Sequence, residues 1–520
     1  MLPPVPATSF RGRARGAAFA LGRFVIRHFR LCALLVLALM ACNLFLGLAS
    51  SNVNDFDEAR YGVSAFEMQQ HRAFVVTTYA GQREVWALKP PLGYWLMALS
   101  YALLGGSALA MRLPSALCSL AAMAVTMVWA RRWFDRRLAI LAGLILATTF
   151  GYLSHHGARS GDFDADLTLL LLLVAVGLPG LGESPWQVVP LAGLLAGGFL
   201  LKSFAIAPMV LVAVGYLLWT GAWRRQRLVP WLAAAGLFGA IVGAWAFARW
   251  RADGGSPDFL LRMLREDVVE RSTSIVDKST SSPLGYVTGL FDRFAPWPLW
   301  MIAAAVVALQ AGGPRRPPRR QVVALLALWV GVPLLFFSLV RTQHHWYLDP
   351  TYPALAMLAA GSALLLVARS PARRRTLALL GLVALPLLLC EGRLLARVLL
   401  VPASADQRFL RALAPVAGGC HELRSTCRLA HSERFILQVM DGFAVVEPPA
   451  PPAVGPAAAT GFPDTACVLV GKAAWRRPPA LPAGRLPAPD RLLAESASYA
   501  LYGAAAGPTA SLRQTAGALR

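Results

Sequence analysis

The apolar residues of this chain are gathered into blocks of roughly 17–25 residues, the length a helix needs to cross a hydrocarbon core. The first block is Leu31–Ser50. Inside lipid a segment must satisfy its own backbone polar groups, so blocks of this length can fold there only as helices. The whole chain has 520 residues, 57% of them hydrophobic and 15% charged. A soluble domain would carry nearer a quarter of its residues charged. A cleaved signal peptide is the competing account of the first block. Its length and the further blocks behind it favour an uncleaved helix preceded by Arg11, Arg13, Arg15, Arg23, Arg27 and Arg30.

The formal charge of +23 would suit nucleic acid if it were spread over a soluble surface. Instead the arginines stand in short clusters between apolar blocks: Arg131–Arg137, Arg224–Arg227, Arg315–Arg320 and Arg369–Arg375. That is the positive-inside pattern, which sets orientation, and no nucleic-acid partner is expected. With the N-terminus in the cytoplasm, eleven spans put every cluster on one side: about 31–50, 109–130, 138–156, 165–182, 187–202, 204–220, 228–248, 297–312, 321–340, 350–368 and 376–390. Leu92–Leu104 is apolar but short, and counting it as a crossing would misplace the first cluster, so an interfacial helix is expected there.

The expected fold is mainly α, a polytopic membrane helix bundle with a small C-terminal α/β domain. Residues 1–30 form a basic cytoplasmic segment, 31–390 the transmembrane domain and 391–520 a periplasmic domain. In the last, Phe443–Val446 and Cys467–Val470 read as short strands, and Pro448–Pro456 and Pro478–Pro489 as proline-rich connections. Cys420, Cys427 and Cys467 lie there; two of them can pair in an oxidising compartment, and the local pair Cys420–Cys427 is the expectation. No cysteine or histidine spacing suggests structural zinc.

Charged groups beside apolar spans are costly, so their placement carries information. Six stretches fall on the expected outer face: Asn54–Tyr61, Leu88–Trp95, Arg159–Asp166, Lys202-Ser203, Arg265–Arg271 and Arg341–Tyr347. Each has a plain structural account. Asp57, Asp164 and Asp166 suit helix first turns. Lys202 can snorkel, and Tyr94 and Trp95 can anchor at headgroup depth. Adjacent His344 and His345 rarely offer both rings to one metal ion. Taken together, the six supply carboxylates, cations and aromatics around a membrane-level cavity. Cations suit a phosphate, and carboxylates suit activation of an acceptor.

These residues resemble a known family. Asp57-Glu58-Ala59-Arg60-Tyr61, Lys89-Pro90-Pro91-Leu92-Gly93-Tyr94-Trp95 and Arg112-Leu113-Pro114-Ser115 are similar to the opening of the GT-C fold glycosyltransferases of the protein O-mannosyltransferase and aminoarabinose (lipid A) transferase superfamily. Looser similarity runs on through Asp164–Thr168, Phe199–Ser203, Arg265–Arg271, Pro296-Trp297 and His345–Leu348, covering about residues 30–370. The resemblance implies a polyprenyl-phosphate sugar donor used in the periplasm, with lipid A or protein as acceptor. Asp57, with Glu58 beside it, and Asp164 would be the catalytic acids. Arg60, Lys89, Lys202 and Arg271 would hold the donor phosphate, and Tyr61, His345 and Tyr347 would contact substrate. A divalent metal is the one cofactor left open. Members that hold one often place an acid directly before the lysine-proline pair, where this chain has Leu88; and the family's glycine after the second lysine is Ser203.

The implied chemistry is inverting sugar transfer, with the cations stabilising the departing phosphate and Asp57 orienting or deprotonating the acceptor. Protein O-glycosylation is the alternative within the family. A transporter or flippase is the alternative outside it, but it would carry discontinuous mid-bilayer helices and repeated halves. No repeat is visible in this sequence.

Overall fold

The computed structural model describes residues 22–84, 87–154, 156–275, 282, 284–310, 317–369, 373–400, 403–417, 420–447, 466–471 and 492–503. Both proline-rich stretches, and most of the expected segment 1–30, lie outside the described residues. The chain forms two compact units. One takes Met1–Leu46, Leu88–Gly93 and Arg112–Leu400; the other takes Gly47–Ala87, Tyr94–Met111 and Val401–Arg520.

The first unit is helical. Each of the eleven expected spans coincides with a helix or a broken pair of helices. Among the described residues, seven runs are long and apolar enough to cross a membrane: Ala108–Trp133, Asp164–Gly182, Pro185–Thr220, Leu228–Ala252, Arg319–Leu339, His345–Arg369 and Ala378–Val398. The pair Gly285–Arg293 and Trp297–Leu309 reaches that length only when its two helices are taken together, across a bend of 107°. The chain is a multi-pass membrane protein. Leu232, 61% exposed, and Leu388, 70% exposed, are large apolar side chains on such runs, as a lipid-facing surface requires. Helix Leu92–Leu104 has 13 residues, about 20 Å at 1.5 Å per residue, too short to cross.

Local chemistry sets the helix ends. Asp135 caps Arg136–Thr148 by accepting from the backbone N–H groups of Arg137 and Leu138 at 2.8 and 2.9 Å. Arg159 donates to the carbonyls of Asn43, Leu44 and Leu46 at the end of helix Phe29–Phe45, where orphan carbonyls attract a cation. Asn43, 3% exposed, ties that helix to two others by donating to the Ala147 carbonyl at 3.0 Å and to Glu391 at 2.8 Å.

Helix Arg373–Leu400 runs through the boundary expected at 390/391, and the second unit resumes only at Val401. That unit is assembled from distant pieces. Its helix Asp57–His71 leads to a two-residue hairpin of β1 (Thr78–Tyr79) and β2 (Gln82–Arg83). Buried Glu67 organises the hairpin, accepting from Thr78 Oγ1 at 2.6 Å, from the Gly81 N–H at 3.2 Å and from Gln438 Nε2 at 2.9 Å. Gly62 and Gly106 let backbones approach: a Cβ on Gly62 would sit 2.6 Å from Phe435, and one on Gly106 would sit 2.2 Å from the Val439 carbonyl.

With several helices, the unit also holds a five-stranded mixed sheet in the order β4 (Ala444–Val446), β3 (Glu422–Ser425), β5 (Cys467–Gly471), β7 (Tyr499–Tyr502), β6 (Leu492–Glu495). β3 runs parallel to β4 and β5, while β7 is antiparallel to β5 and β6. Both strands expected from sequence are present, and every residue of β5 is buried.

The disulfide expectation is corrected. Cys420 bonds Cys467, with Cα atoms 5.9 Å apart. Parallel pairing of β3 and β5 sets Leu423 against Cys467, and this brings Cys420 within reach. Cys427 lies past the end of β3, where its backbone N–H donates to Ser425 Oγ. The bridge closes a loop of 47 residues, and loop-closure entropy makes its loss worth about 4 kcal/mol. Non-reducing digests should yield one peptide pair joined through Cys420 and Cys467, with Cys427 alkylated. A Cys420–Cys427 link would overturn this topology.

Candidate active site

Lys89, Asp164, Lys202, Arg271, His345 and Tyr347 all belong to the helical unit, whereas Asp57, Glu58, Arg60 and Tyr61 belong to the second.

In the helical unit three of the expected cations gather. Lys89 Nζ lies 3.1 Å from Asp267 Oδ1, and Arg271 Nε lies 3.5 Å from the same oxygen. Arg271 donates to the Tyr347 hydroxyl at 2.8 Å and to Glu266 at 3.2 Å. Lys202 pairs with Asp164 at 2.5 Å, and the neighbouring Ser203 hydroxyl donates to Asp267. Burial by itself would raise the Asp267 carboxyl; Lys89, the Ser203 hydrogen bond and Arg271 hold it below the usual carboxylate range. Burial pushes Glu266 up in spite of Lys89 and Arg271.

Ser203 explains its own departure from the family glycine. Its φ is +45° with ψ −121°, a conformation that costs a side chain energy. The hydroxyl bond to Asp267 offsets part of that cost, at the point where the apolar run Pro185–Thr220 breaks into helices Val188–Lys202 and Ala207–Thr220.

The expected helix-start account of Asp164 is half right. It is the first residue of helix Asp164–Gly177, yet it is 2% exposed and ion-paired to Lys202. Asp166 accepts from Ser115 at 3.2 Å, which draws the Arg112–Ser115 motif into the same cluster. Gly93 of the lysine-proline motif packs against Phe163, whose ring would stand 2.4 Å from a Cβ there.

His345 lines a pocket of about 170 Å³ together with Tyr286, Arg293, Gln343, Leu348 and Tyr352. Beside it Trp346 is stacked between His156 at 3.8 Å and His344 at 4.3 Å between ring centres.

In the second unit Asp57 is the first residue of its helix and half-buried, behind Phe56 at φ +64°. Glu58 is 1% exposed and accepts the Asn54 N–H at 2.7 Å, so this carboxylate shapes the loop. Arg60 grips Glu84 with bonds of 2.7 and 2.8 Å and lies 4.6 Å over the Tyr79 ring. A phosphate role for Arg60 would need that pair to open. His431 completes this group, 3.4 Å from Arg60 and 2.6 Å from the Tyr79 hydroxyl. Burial, followed by Arg60, pushes the imidazole pKa down. With Arg60 donating to Nε2, the network assigns the proton to Nδ1. Tyr61 is buried edge-on against Tyr94, ring centres 5.7 Å apart.

Sequence reasoning missed four residues. Asp267 and Glu84 each neutralise an expected phosphate cation. Asp162 faces His156 at 3.2 Å; burial would raise its carboxyl, and His156 holds it low. Asp349 is 3% exposed, with Oδ2 lacking a hydrogen-bonding partner among the described residues. Acids buried next to family motifs were the signal available for Asp162 and Asp349. As for metal, the position before Lys89 is Leu88, 5% exposed and without a ligand atom, so the family's metal-holding acid does not fit here.

A family model for dolichyl-phosphate-mannose-protein mannosyltransferases matches residues 88–250. The undecaprenyl phosphate-alpha-4-amino-4-deoxy-L-arabinose arabinosyl transferase of Aeromonas salmonicida is 31% identical over 322 residues, 59% of this chain and 55% of that protein. A second arabinosyl transferase of that description, from Pseudomonas fluorescens, is 29% identical over 375 residues, 70% of this chain and 60% of that protein. The chain thus spans little more than half the length of these curated relatives. Among solved structures, ArnT from Cupriavidus metallidurans bound to undecaprenyl phosphate matches with a TM-score of 0.67 at 20% identity, covering 90% of this chain and 97% of that one. The oligosaccharyltransferase AglB from Archaeoglobus fulgidus matches with a TM-score of 0.55 at 11% identity, covering 87% of this chain and 70% of that one. The structural likenesses give the fold, which the chain shares with ArnT and AglB, and the sequence matches show that it is similar to protein mannosyltransferases and to aminoarabinose transferases.

Proposed function

We propose that the chain is a glycosyltransferase of the bacterial inner membrane that moves aminoarabinose, or a similar sugar, from polyprenyl phosphate to lipid A. The observation that carries this reading is the cluster in which Lys89 and Arg271 meet on the Asp267 carboxylate while Arg271 also donates to the Tyr347 hydroxyl. Donors converging this way suit a phosphate oxygen. Orientation follows from the arginine clusters, with the N-terminus cytoplasmic and the chemistry and the residues from Val401 on in the periplasm.

The acceptor oxygen would attack the anomeric carbon as the bond to the donor phosphate breaks, and its electron pair would leave on polyprenyl phosphate. Lys89 and Arg271 would stabilise that charge where it develops, with Lys202 as the next cation. An acceptor phosphate already carries its nucleophilic oxygen ionised, so Asp57 would chiefly position it; a hydroxyl acceptor would pass its proton to Asp57. Asp164 would hold Lys202 in place. The pocket lined by His345, Tyr286 and Arg293 is a candidate seat for part of a substrate. The likeness of residues 88–250 to the mannosyltransferase model keeps a protein acceptor as the second reading.

The test is mass spectrometry of lipid A and periplasmic proteins from cells with and without the chain. Loss of a sugar-sized increment from lipid A supports the first reading. Unchanged lipid A with altered proteins would transfer the assignment to a protein acceptor, and no change in either would remove the enzyme assignment.

A further inference from the structure

Sugar transfer from polyprenyl phosphate, the function proposed above and the premise here, turns a phosphodiester donor with one negative charge into a phosphomonoester product. A phosphate monoester of this type carries about −1.5 to −2 at pH 7, because its second pKa is near 6. A site built only of cations would hold the product more tightly than the donor and would be slow to release it.

The cation cluster is not built that way. Asp267 stands inside it with a side chain 11% exposed, taking Lys89 and Arg271 on Oδ1 and the Ser203 hydroxyl on Oδ2. Glu266 adds a second carboxylate on Arg271. The formal charge of Lys89, Arg271, Glu266 and Asp267 is zero, and Lys202 is matched by Asp164. Asp267 is carried on a π-helical turn, Arg265–Glu270. Such turns are rare and recur at functional sites. Ser203 occupies a strained backbone conformation while holding the second oxygen. A counter-ion needed only for folding would not call for both features.

We propose that Asp267 is a charge-selecting residue: it lets the cluster of Lys89, Arg271 and Tyr347 accept the singly charged donor and repels the doubly charged product, which drives product release. The other charged and titratable groups facing the cluster are Glu266, Lys202 and Tyr347. At an effective dielectric near 20, one unit charge about 6–12 Å away changes affinity by roughly a hundredfold to tenfold.

The experiment uses the full chain in nanodiscs and compares undecaprenyl phosphate with a polyprenyl phosphodiester of the same chain length. In the unmodified protein, affinity for undecaprenyl phosphate should fall as pH rises through about 6, where the second ionisation occurs, while diester affinity stays flat. Asp267→Asn should tighten binding of both lipids, and at pH 8 the gain for undecaprenyl phosphate should exceed the gain for the diester at least tenfold. Asp267→Glu, which keeps the charge, should restore the discrimination. Equal shifts for both lipids would overturn the proposal, as would a pH-independent unmodified protein, which can be tested even if Asp267→Asn does not fold. Failure of the unmodified chain to bind either lipid would instead remove the donor assignment, and this inference with it.

Discussion

Replacing Asp57 by asparagine is expected to slow sugar transfer by about 10²–10⁴-fold for a hydroxyl acceptor, the usual loss when a general base is removed, and by less for a phosphate acceptor. Folding should be spared. Asp57 opens helix Asp57–His71 and is half-buried, while the neighbouring Glu58 is the carboxylate sealed against the Asn54 N–H. Asparagine keeps the shape, and the charge lost at the helix start is worth about 0.3–1 kcal/mol. Initial rates of the purified variant, measured beside its thermal melt, separate the two effects. A variant that melts normally and turns over like the parent would take Asp57 out of the chemistry. The size of the loss also reports on the acceptor, because a pre-ionised phosphate needs no base.

The second large effect is on stability. Lys202→Met should cost about 3–5 kcal/mol, the range seen when one partner of a buried ion pair is removed. Asp164 is 2% exposed and its pair with Lys202 is 2.5 Å long, so the substitution strands a carboxylate inside the helical unit. Adding Asp164→Asn to Lys202→Met should recover a large part of the loss, because the pair then goes as a unit. Denaturation of the single and double variants in one detergent measures it. Additive losses in the double variant would mean that the two residues act separately.

What the sequence made legible follows from the solvent. Lipid enforces span length and arginines mark span ends, so the apolar blocks could be read along the sequence, and each coincides with a helix or a broken pair of helices, while seven runs among the described residues are long and apolar enough to cross. The cations expected to hold phosphate came from family resemblance, and their carboxylate partners were not legible. Lys89 and Asp267 are 178 positions apart, a pairing with no local periodicity to betray it. Arg60 looked like a cation awaiting a ligand, and the fold gives it Glu84. Glu58 was expected among the catalytic acids, and the fold adds a bond from the Asn54 N–H that spacing did not show. The disulfide was misjudged because nearness in sequence was the guide, whereas parallel strand pairing chooses the partner. Leu88 and Ser203 were marked as departures from the family. Only the coordinates turn the second into a positive-φ corner bonded to Asp267.

The patchwork origin of the second unit constrains its biosynthesis. Glu67 waits for Gln438, which the ribosome adds 371 residues later. Until then, helix Asp57–His71 and its hairpin have no Phe435 to close against Gly62, while the helices between can already insert. Chains truncated after Leu400 should therefore keep the bundle yet expose the early segment to proteases. Quality control that samples this segment would in effect be reading whether the last hundred or so residues have arrived.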